Sequence, residues 1–464
     1  MRLGSASLNI RSARNGTRIV PDVGRLEAFR ETPALLDDAT AVLRRHTDRL
    51  GGVFVYWFGG MTKVLVVTDP AVLRHVLKDN HENYPKSSIQ IRRMGQFLGP
   101  GLLTDHGATW LRKRRRLQQA FNVDRLAAMA ADMQVSLEET LTRFDAAIQH
   151  GPVEVGAQVT RMTLCMVTRS LFSCRLPEPD VEVISNGIGA VQAFMVRQIV
   201  KPHLRAWFAL TGSVRRHQRI RGAGDAILQR LIDERRAAPG TRDDLLGILM
   251  DSGFGPDGNP ISDQEVLDES LQILVAGHET SSNALSWALY LLSRDPATLE
   301  AVRSELEAVV GEGPLLFDHL ALLHATTAAI EEALRLFPPF WMVDRMALED
   351  DEVAGVAIPA GTIVVAFIHG AHHAQDFWPE PDRFRPDRFI GADKGFRNSL
   401  HYLPFGAGPK RCIGSGYAML QMVMILNAVL RRYRFRLDAE APVRPRAMII
   451  QRPRNGLWMR FERR

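Results

Sequence analysis

The sequence predicts a mainly helical α+β protein, one large helical body carrying small β-sheets drawn from both ends of the chain. Two observations carry that expectation. Strand-like runs cluster near the two ends, while amphipathic helical spacing dominates from about Trp110 to Leu336. The chain has 464 residues, 46% of them hydrophobic, enough for a large core, and no stretch in it reads as a domain boundary.

Taken in order, "GVFVYWF" and "KVLVVT" are strands joined by "GGMT", whose paired glycines suit a hairpin. "DPAVLRHVL" opens with an Asp-Pro helix start. The stretch "RRAAPGTRDDLLGILMDSGFGPDGNPISDQE" has helical patterns on both sides, so it is expected to be a surface excursion within one body. Extended segments return in "VAGVAIPAGTIVVAFI" and in "AMIIQRPRNGLWMRF", where Asn455-Gly456 is expected to be a hairpin turn. Residues 1–20 carry four arginines and no acid, faintly like a transit peptide, and are expected to be a flexible segment ahead of a single domain over residues 21–464.

Composition narrows the setting. Three cysteines, Cys165, Cys174 and Cys412, are too few for a disulfide framework and point to a reducing compartment, by default the cytoplasm. The longest apolar runs, such as Ala418 to Leu430, fall short of the roughly 18 residues that span a bilayer, so no membrane anchor is expected. A net charge of +6 suits an acidic partner, a nucleic acid or an anionic surface without choosing among them.

Four segments carry chemistry. In "FGAGPKRCIG", Cys412 sits just before a strong helix expected from about Gly414 to Arg432, where backbone N–H groups and the positive helix end favour a thiolate. Gly406, Gly408 and Gly414 let the backbone turn toward the sulfur. A lone cysteine is usually core; the long pattern from Phe405 to Gly414 opposes that here. In "AGHETSSNALSW", Gly277 and Thr280 both weaken the middle of an apolar helix, and such local violations mark sites. "EALR" places Glu332 and Arg335 on one helix face. "HGATWLRKRRRLQQAF" places Trp110 and Arg114 four apart on another.

Together, and in this order along the chain, these segments resemble the cytochrome P450 family over nearly the whole sequence. The resemblance implies the P450 fold, with haem b between a long distal helix and the helix that follows the cysteine loop, and Cys412 as its iron ligand. It implies that Ala276, Gly277, Glu279 and Thr280 form the oxygen-binding turn, with Glu279 and Thr280 relaying protons. Trp110, Arg114, Arg345, Lys410 and His106 are expected to face the haem propionates, with Phe405, Gly406 and Gly414 in the cysteine loop. Lys410 stands where most members carry Arg or His, and His106 where an acid is common; His106 could equally face water. Glu332, Arg335 and Arg388, from "FRPDRF", form the expected buried cluster behind the haem. By position, Phe97, Leu274, Val275, Phe340, Trp341, Met342, Val343 and the terminal turn Arg454–Gly456 are expected to line the substrate pocket, and Arg92 or Arg93 either holds a substrate carboxylate or lies in solvent.

The implied activity is hydroxylation: one atom of dioxygen enters a C–H bond of a lipophilic molecule such as a fatty acid, terpenoid or steroid. No fused reductase is expected. Electrons would come from NAD(P)H through a separate acidic ferredoxin or flavodoxin-type donor, docking on the outward cations of Arg112–Arg116 with Lys410 and Arg411, and the protein would be a monomer that binds no nucleic acid. A hydrogen peroxide-dependent peroxygenase or a haem sensor is the alternative; the Glu279–Thr280 pair favours dioxygen. His369, His372 and His373, spaced like zinc ligands, are expected to be structural.

Overall fold

Gly59 and Gly60, at φ 59° and 69°, turn the chain tightly between two strands, Val53–Phe58 and Thr62–Val67, which pair from Val53↔Val67 to Phe58↔Thr62. Positive φ at both central residues matches the twist of a hairpin and is why this turn holds paired glycines. The computed structural model describes residues 18–237, 244–251, 261–391, 395–438 and 443–464. Most of the N-terminal segment and parts of the excursion before Ser262 therefore lie outside the described residues.

The early hairpin grows into a four-stranded sheet. Thr62–Val67 pairs in parallel with Ile363–Ala366, which pairs antiparallel with Val343–Met346. Between them the chain is helical. Asp69 accepts hydrogen bonds from Ala71 N and Val72 N at 2.9 and 3.2 Å, starting the helix Pro70–Arg74 as its Asp-Pro signal predicts. Helix Asp263–Arg294 is the axis of the molecule. Ser262 and Glu265 form a reciprocal capping box at its start. Its 32 residues span about 48 Å, and nearly every side chain from Val266 to Leu292 is buried. It packs against helix Val155–Phe172, where a Cβ at Gly277 would stand 3.2 Å from Val167 Cγ2. Helix Ser415–Arg432 closes the core beneath it, with Gly414 at its N-cap.

One expectation at the C-terminus is corrected. Asn455-Gly456 is not the turn of a hairpin. Strands Pro445–Ala447 and Gln451–Pro453 pair with each other across Met448–Ile450, whereas Trp458–Arg463 pairs with Tyr433–Leu437 and Val153–Glu154. Gly456, at φ 75°, instead carries the chain between two sheets, and Glu154 fixes the crossing by accepting from Leu457 N at 2.9 Å. Among the described residues, one helix, Glu178–Val200, is long and apolar enough to cross a membrane, though about 44% of it is buried inside the protein.

Candidate active site

The cysteine loop folds back on itself. Cys412 N donates to Phe405 O at 2.8 Å, Gly406 N donates to Leu403 O at 3.0 Å, and Gly414 N–H donates toward the sulfur. Gly408 is held at φ 65° against the neighbouring chain, where a Cβ would stand 2.0 Å from Leu77 O. Gly408→Ala is therefore expected to displace the loop, costing at least about 1–3 kcal/mol, visible as a lowered melting temperature. The thiol itself differs from expectation. Desolvation pushes Cys412 up from its ordinary value, opposed by the Gly414 N–H and by Arg114 and Arg411. The sulfur is nonetheless exposed to the cavity, so it is the surrounding protein that desolvates a group solvent still reaches, and a coordinating metal is what would deprotonate it.

Cys412 opens onto a cavity of about 320 Å³ whose lining is mostly apolar. The opposite wall is the middle of helix Asp263–Arg294: Ala276, Gly277, Thr280 and Ser281 all face the space. Thr280 Oγ1 donates to Ala276 O at 2.8 Å, so its hydroxyl oxygen is left as an acceptor on the cavity side of the helix. Glu279 points elsewhere and lines neither this cavity nor its neighbour. Its carboxylate accepts from Gln192 Nε2 at 2.5 Å and feels the Arg452 charge; burial, only partly offset by these two, pushes it up to about 7.

That shift has a stability consequence with a definite sign. The unfolded carboxyl titrates near 4.5 and the folded one near 7, so the folded state holds the proton more tightly and loses stability as pH rises between those values. Glu279→Gln is expected to melt higher than the unsubstituted protein above pH 7, by a margin of order 3 kcal/mol, with the gap closing below pH 4.5. Thermal melts across that range check it.

One edge of the cavity is lined by cations. Lys86, Arg114, Arg345 and Lys410 all face it. Burial and the nearby Arg345 charge push Lys86 down to about 7 and Lys410 down to about 8, and burial also lowers Arg345. Asp344 is the acid that acts on Arg345, whereas Lys86 feels Asp105 and Glu269 and Lys410 feels Glu82; Ser87 donates to Asp344, and burial raises it. Lys410 Nζ lies 5.6 Å from the centroid of the buried Trp110 ring and donates to His81 O at 3.2 Å, while Arg114 donates to Arg411 O at 2.7 Å. Trp110 Nε1 has no partner among the described residues. Lys86, which also donates to Leu102 O, escaped the sequence reading: a single lysine in the aperiodic "YPKSS" carries no signal until the fold buries it.

Behind the cysteine loop, Glu332 and Arg335 are 0% exposed and pair through two hydrogen bonds of 2.7 and 2.8 Å. Arg335 also donates to His372 O and Pro381 O, both at 2.8 Å. Arg388 Nε stands 3.4 Å from Glu332 Oε1 without hydrogen-bond alignment, and its terminal nitrogen donates to Pro379 O and Glu380 O. His372 is spent in the same framework, donating from Nδ1 to Arg335 O and accepting from Leu403 N. His369 and His373 are buried against each other and held neutral by desolvation.

Several expected placements are corrected. His106 is exposed at the start of helix Gly107–Gln118 and lines neither cavity. Leu274, Val275 and Phe97 line a second cavity of about 70 Å³ that meets the first at Met94, Leu103, Ala276, Phe340 and Ile449. Ala276 lines both spaces, whereas Leu274 and Val275 line the second alone. The terminal turn in the main cavity is Ala447–Ile449, whereas Arg454 pairs with Asp37 at the surface. Arg92 and Arg93 line neither space. Phe340, Trp341, Met342 and Val343 do line the main one, with Trp341 Nε1 anchored on Met448 O at 2.7 Å. Nor do all the cations of Arg112–Arg116 face outward: Lys113 is clamped between Asp105 and Glu269 at 2.7 and 3.0 Å.

A family model described as cytochrome P450 matches residues 36–459. The chain belongs to the cytochrome P450 family. It is 31% identical to cyclooctatin synthase of Streptomyces melanosporofaciens, covering 83% of this chain and 84% of that one. It is 29% identical to the human ultra-long-chain fatty acid omega-hydroxylase, covering 95% and 86%, and 29% identical to the pentalenene oxygenase of Streptomyces avermitilis, covering 84% and 85%. The enzyme is thus a P450 monooxygenase, and membership implies a cysteine-ligated haem. The site fits that group: a thiol on one wall, apolar walls around it, and buried cations on one edge that lack sufficient acids suit a flat apolar ring bearing two carboxylates.

Proposed function

We propose that this P450 hydroxylates a lipophilic small molecule of the fatty acid or terpenoid class. The observation that carries the proposal is the apolar cavity that has both Cys412 and Thr280 in its wall and is lined by Ile89, Met94, Phe340, Trp341, Met342 and Ile449. The relatives named for fatty acid and terpene oxidation agree with it.

Cys412 would hold the iron of haem, and Lys86, Arg114, Arg345, Lys410 and the Trp110 N–H would hold its carboxylates. When bound, haem supplies dioxygen activation and insertion of one oxygen atom into a C–H bond, with the thiolate favouring O–O cleavage. The protein's own part is proton supply, orientation and exclusion of water. Thr280 presents a hydroxyl at the cavity wall, fixed by Ala276 O. Glu279, titrating near 7 and tied to Gln192, is a proton reservoir one residue away whose pKa matches working pH. Phe340 and Trp341 narrow the space and set which carbon approaches. Electrons would come from NAD(P)H through a separate acidic ferredoxin or flavodoxin-type donor, attracted by the exposed Arg112, Arg115 and Arg411.

The test is product analysis with a panel of fatty acids and terpenes, using NAD(P)H with surrogate donor proteins, or hydrogen peroxide alone. Hydroxylated products that require the donor proteins support the proposal; turnover with peroxide alone favours a peroxygenase, and no product from either class refutes the substrate reading. Phe340→Ala is expected to change the ratio of regioisomers severalfold while leaving the fold intact, because its ring faces the cavity. Unchanged ratios across the panel would show that this wall does not orient substrate.

A further inference from the structure

The second cavity has no part in the chemistry described so far, yet it adjoins the place where that chemistry would occur. Ala276, whose carbonyl holds the Thr280 hydroxyl, lines both spaces, and so do Met94, Leu103, Phe340 and Ile449. Three helices supply most of the remaining wall: Ile184 and Val191 come from Glu178–Val200, Ile220 and Gly224 from Ser213–Ala237, and Leu271 and Leu274 from Asp263–Arg294. A volume of about 70 Å³ holds about five or six water-sized groups, or a tail of about as many carbons.

Among the described residues that line this space, Gln192 and Arg221 are the only polar side chains. Both are spent. Gln192 donates to Glu279 at 2.5 Å, and Arg221 is held by Asp225 and Asp268. With its polar groups already paired, the wall offers water little to bond, and an apolar occupant is favoured. One guanidinium beside two carboxylates also leaves a local excess of negative charge, which repels an anionic head.

Gly224 keeps room in this space. On helix Ser213–Ala237 it shares a stripe with Ile220, Ile227, Leu228 and Leu231, of which the last three are buried. A side chain at position 224 would therefore turn inward with them, and a Cβ built there meets nothing within 4 Å. Gly187 of helix Glu178–Val200 lines the same cavity but serves close helix contact, since its Cβ would stand 3.2 Å from Ile220 Cγ2. A glycine inside a helix weakens it relative to alanine, so position 224 gives up helix stability and leaves a space.

We propose that the second cavity receives the apolar tail of an elongated substrate and that Gly224 sets how much of the tail it takes. Because Ala276 belongs to both walls, a chain whose tail fills this space passes the oxygen-binding turn with an interior methylene and not with its terminal methyl. Oxidation is therefore in-chain, about five or more carbons from the tip. The in-chain consequence rests on the proposed lipophilic substrate; the capacity of the cavity for an alkyl tail does not.

The test is titration of the haem-loaded protein with N-alkylimidazoles from methyl to dodecyl. Their ring nitrogen binds the iron and reports through the absorption spectrum, which fixes one end of the alkyl chain at the reacting position. Affinity is expected to rise by up to about fourfold for each methylene until the tail fills the second cavity, and then to level off. Gly224→Leu is expected to bring the plateau forward by about four carbons and Gly224→Ala by about one, with neither variant melting below the parent. Identical series in the parent and Gly224→Leu, or affinity that does not depend on chain length, overturns the proposal. With straight-chain fatty acids, the parent is expected to place the hydroxyl in-chain and Gly224→Leu to move it toward the methyl end; terminal hydroxylation by the parent overturns the in-chain claim. Length dependence that Gly224→Leu cuts short, without turnover of any lipid, counts against the substrate reading and leaves the tail cavity supported.

Discussion

Arg335→Leu is expected to cost about 3–5 kcal/mol and to leave little soluble, haem-loaded protein. The reason is not the lost attraction but what remains: Glu332, at 0% exposure, keeps its charge with only the misaligned Arg388 Nε at 3.4 Å and the Arg385 N–H at 3.0 Å. His372 O and Pro381 O lose their donor as well. Against a total stability of about 5–15 kcal/mol, that loss is decisive. Adding Glu332→Gln to the same chain removes the stranded charge and is expected to recover part of the melting temperature. If Arg335→Leu alone melts within about 1 kcal/mol of the parent, the buried pair is not structural.

Cys412→Ser is expected to abolish hydroxylation, by roughly a thousandfold or more, while the chain still folds. The loop's own contacts are made by backbone: Cys412 N to Phe405 O, and Gly406 N to Leu403 O. Serine keeps them and is smaller than cysteine, so the loop geometry should survive while the ligand to iron changes from sulfur to oxygen. A melting temperature close to the parent's, together with lost turnover, is the expected pair of results. Retained turnover would remove Cys412 from the chemistry.

These two predictions fall on features that were legible in the sequence for a physical reason. The cysteine loop and Glu332–Arg335 are set by spacing along a few residues, and local spacing survives folding. Features built from distant partners were not legible. Lys113 reads as one cation in a solvated run, and only the fold brings Asp105 and Glu269 to it. Lys86 becomes a site residue only through burial beside Arg345. Glu279 owes its raised pKa to burial inside the packed fold, only partly offset by Gln192 and Arg452, and no local pattern reveals that burial.

The C-terminus shows a different failure. Asn455-Gly456 has the strongest local turn signal in its stretch, yet the strands on either side belong to different sheets. The turn that reaches the main cavity is instead the apolar Ala447–Ile449, whose apolar run reads as strand in the sequence. Likewise the resemblance placed Leu274 and Val275 near the site by position but did not say which of two adjoining cavities they face. The fold class and the ordered motifs followed from local physics; the edges of the pocket required the tertiary structure.

The account depends on sulfur at Cys412 binding the iron of a haem seated in the main cavity. The most direct measurement is the absorption spectrum of the purified, haem-supplied protein after reduction and treatment with carbon monoxide. The account predicts the red-shifted Soret band that thiolate ligation produces, lost in Cys412→Ser. A protein that stays colourless, or one whose carbon monoxide complex shows the unshifted band of nitrogen-ligated haem, would contradict it.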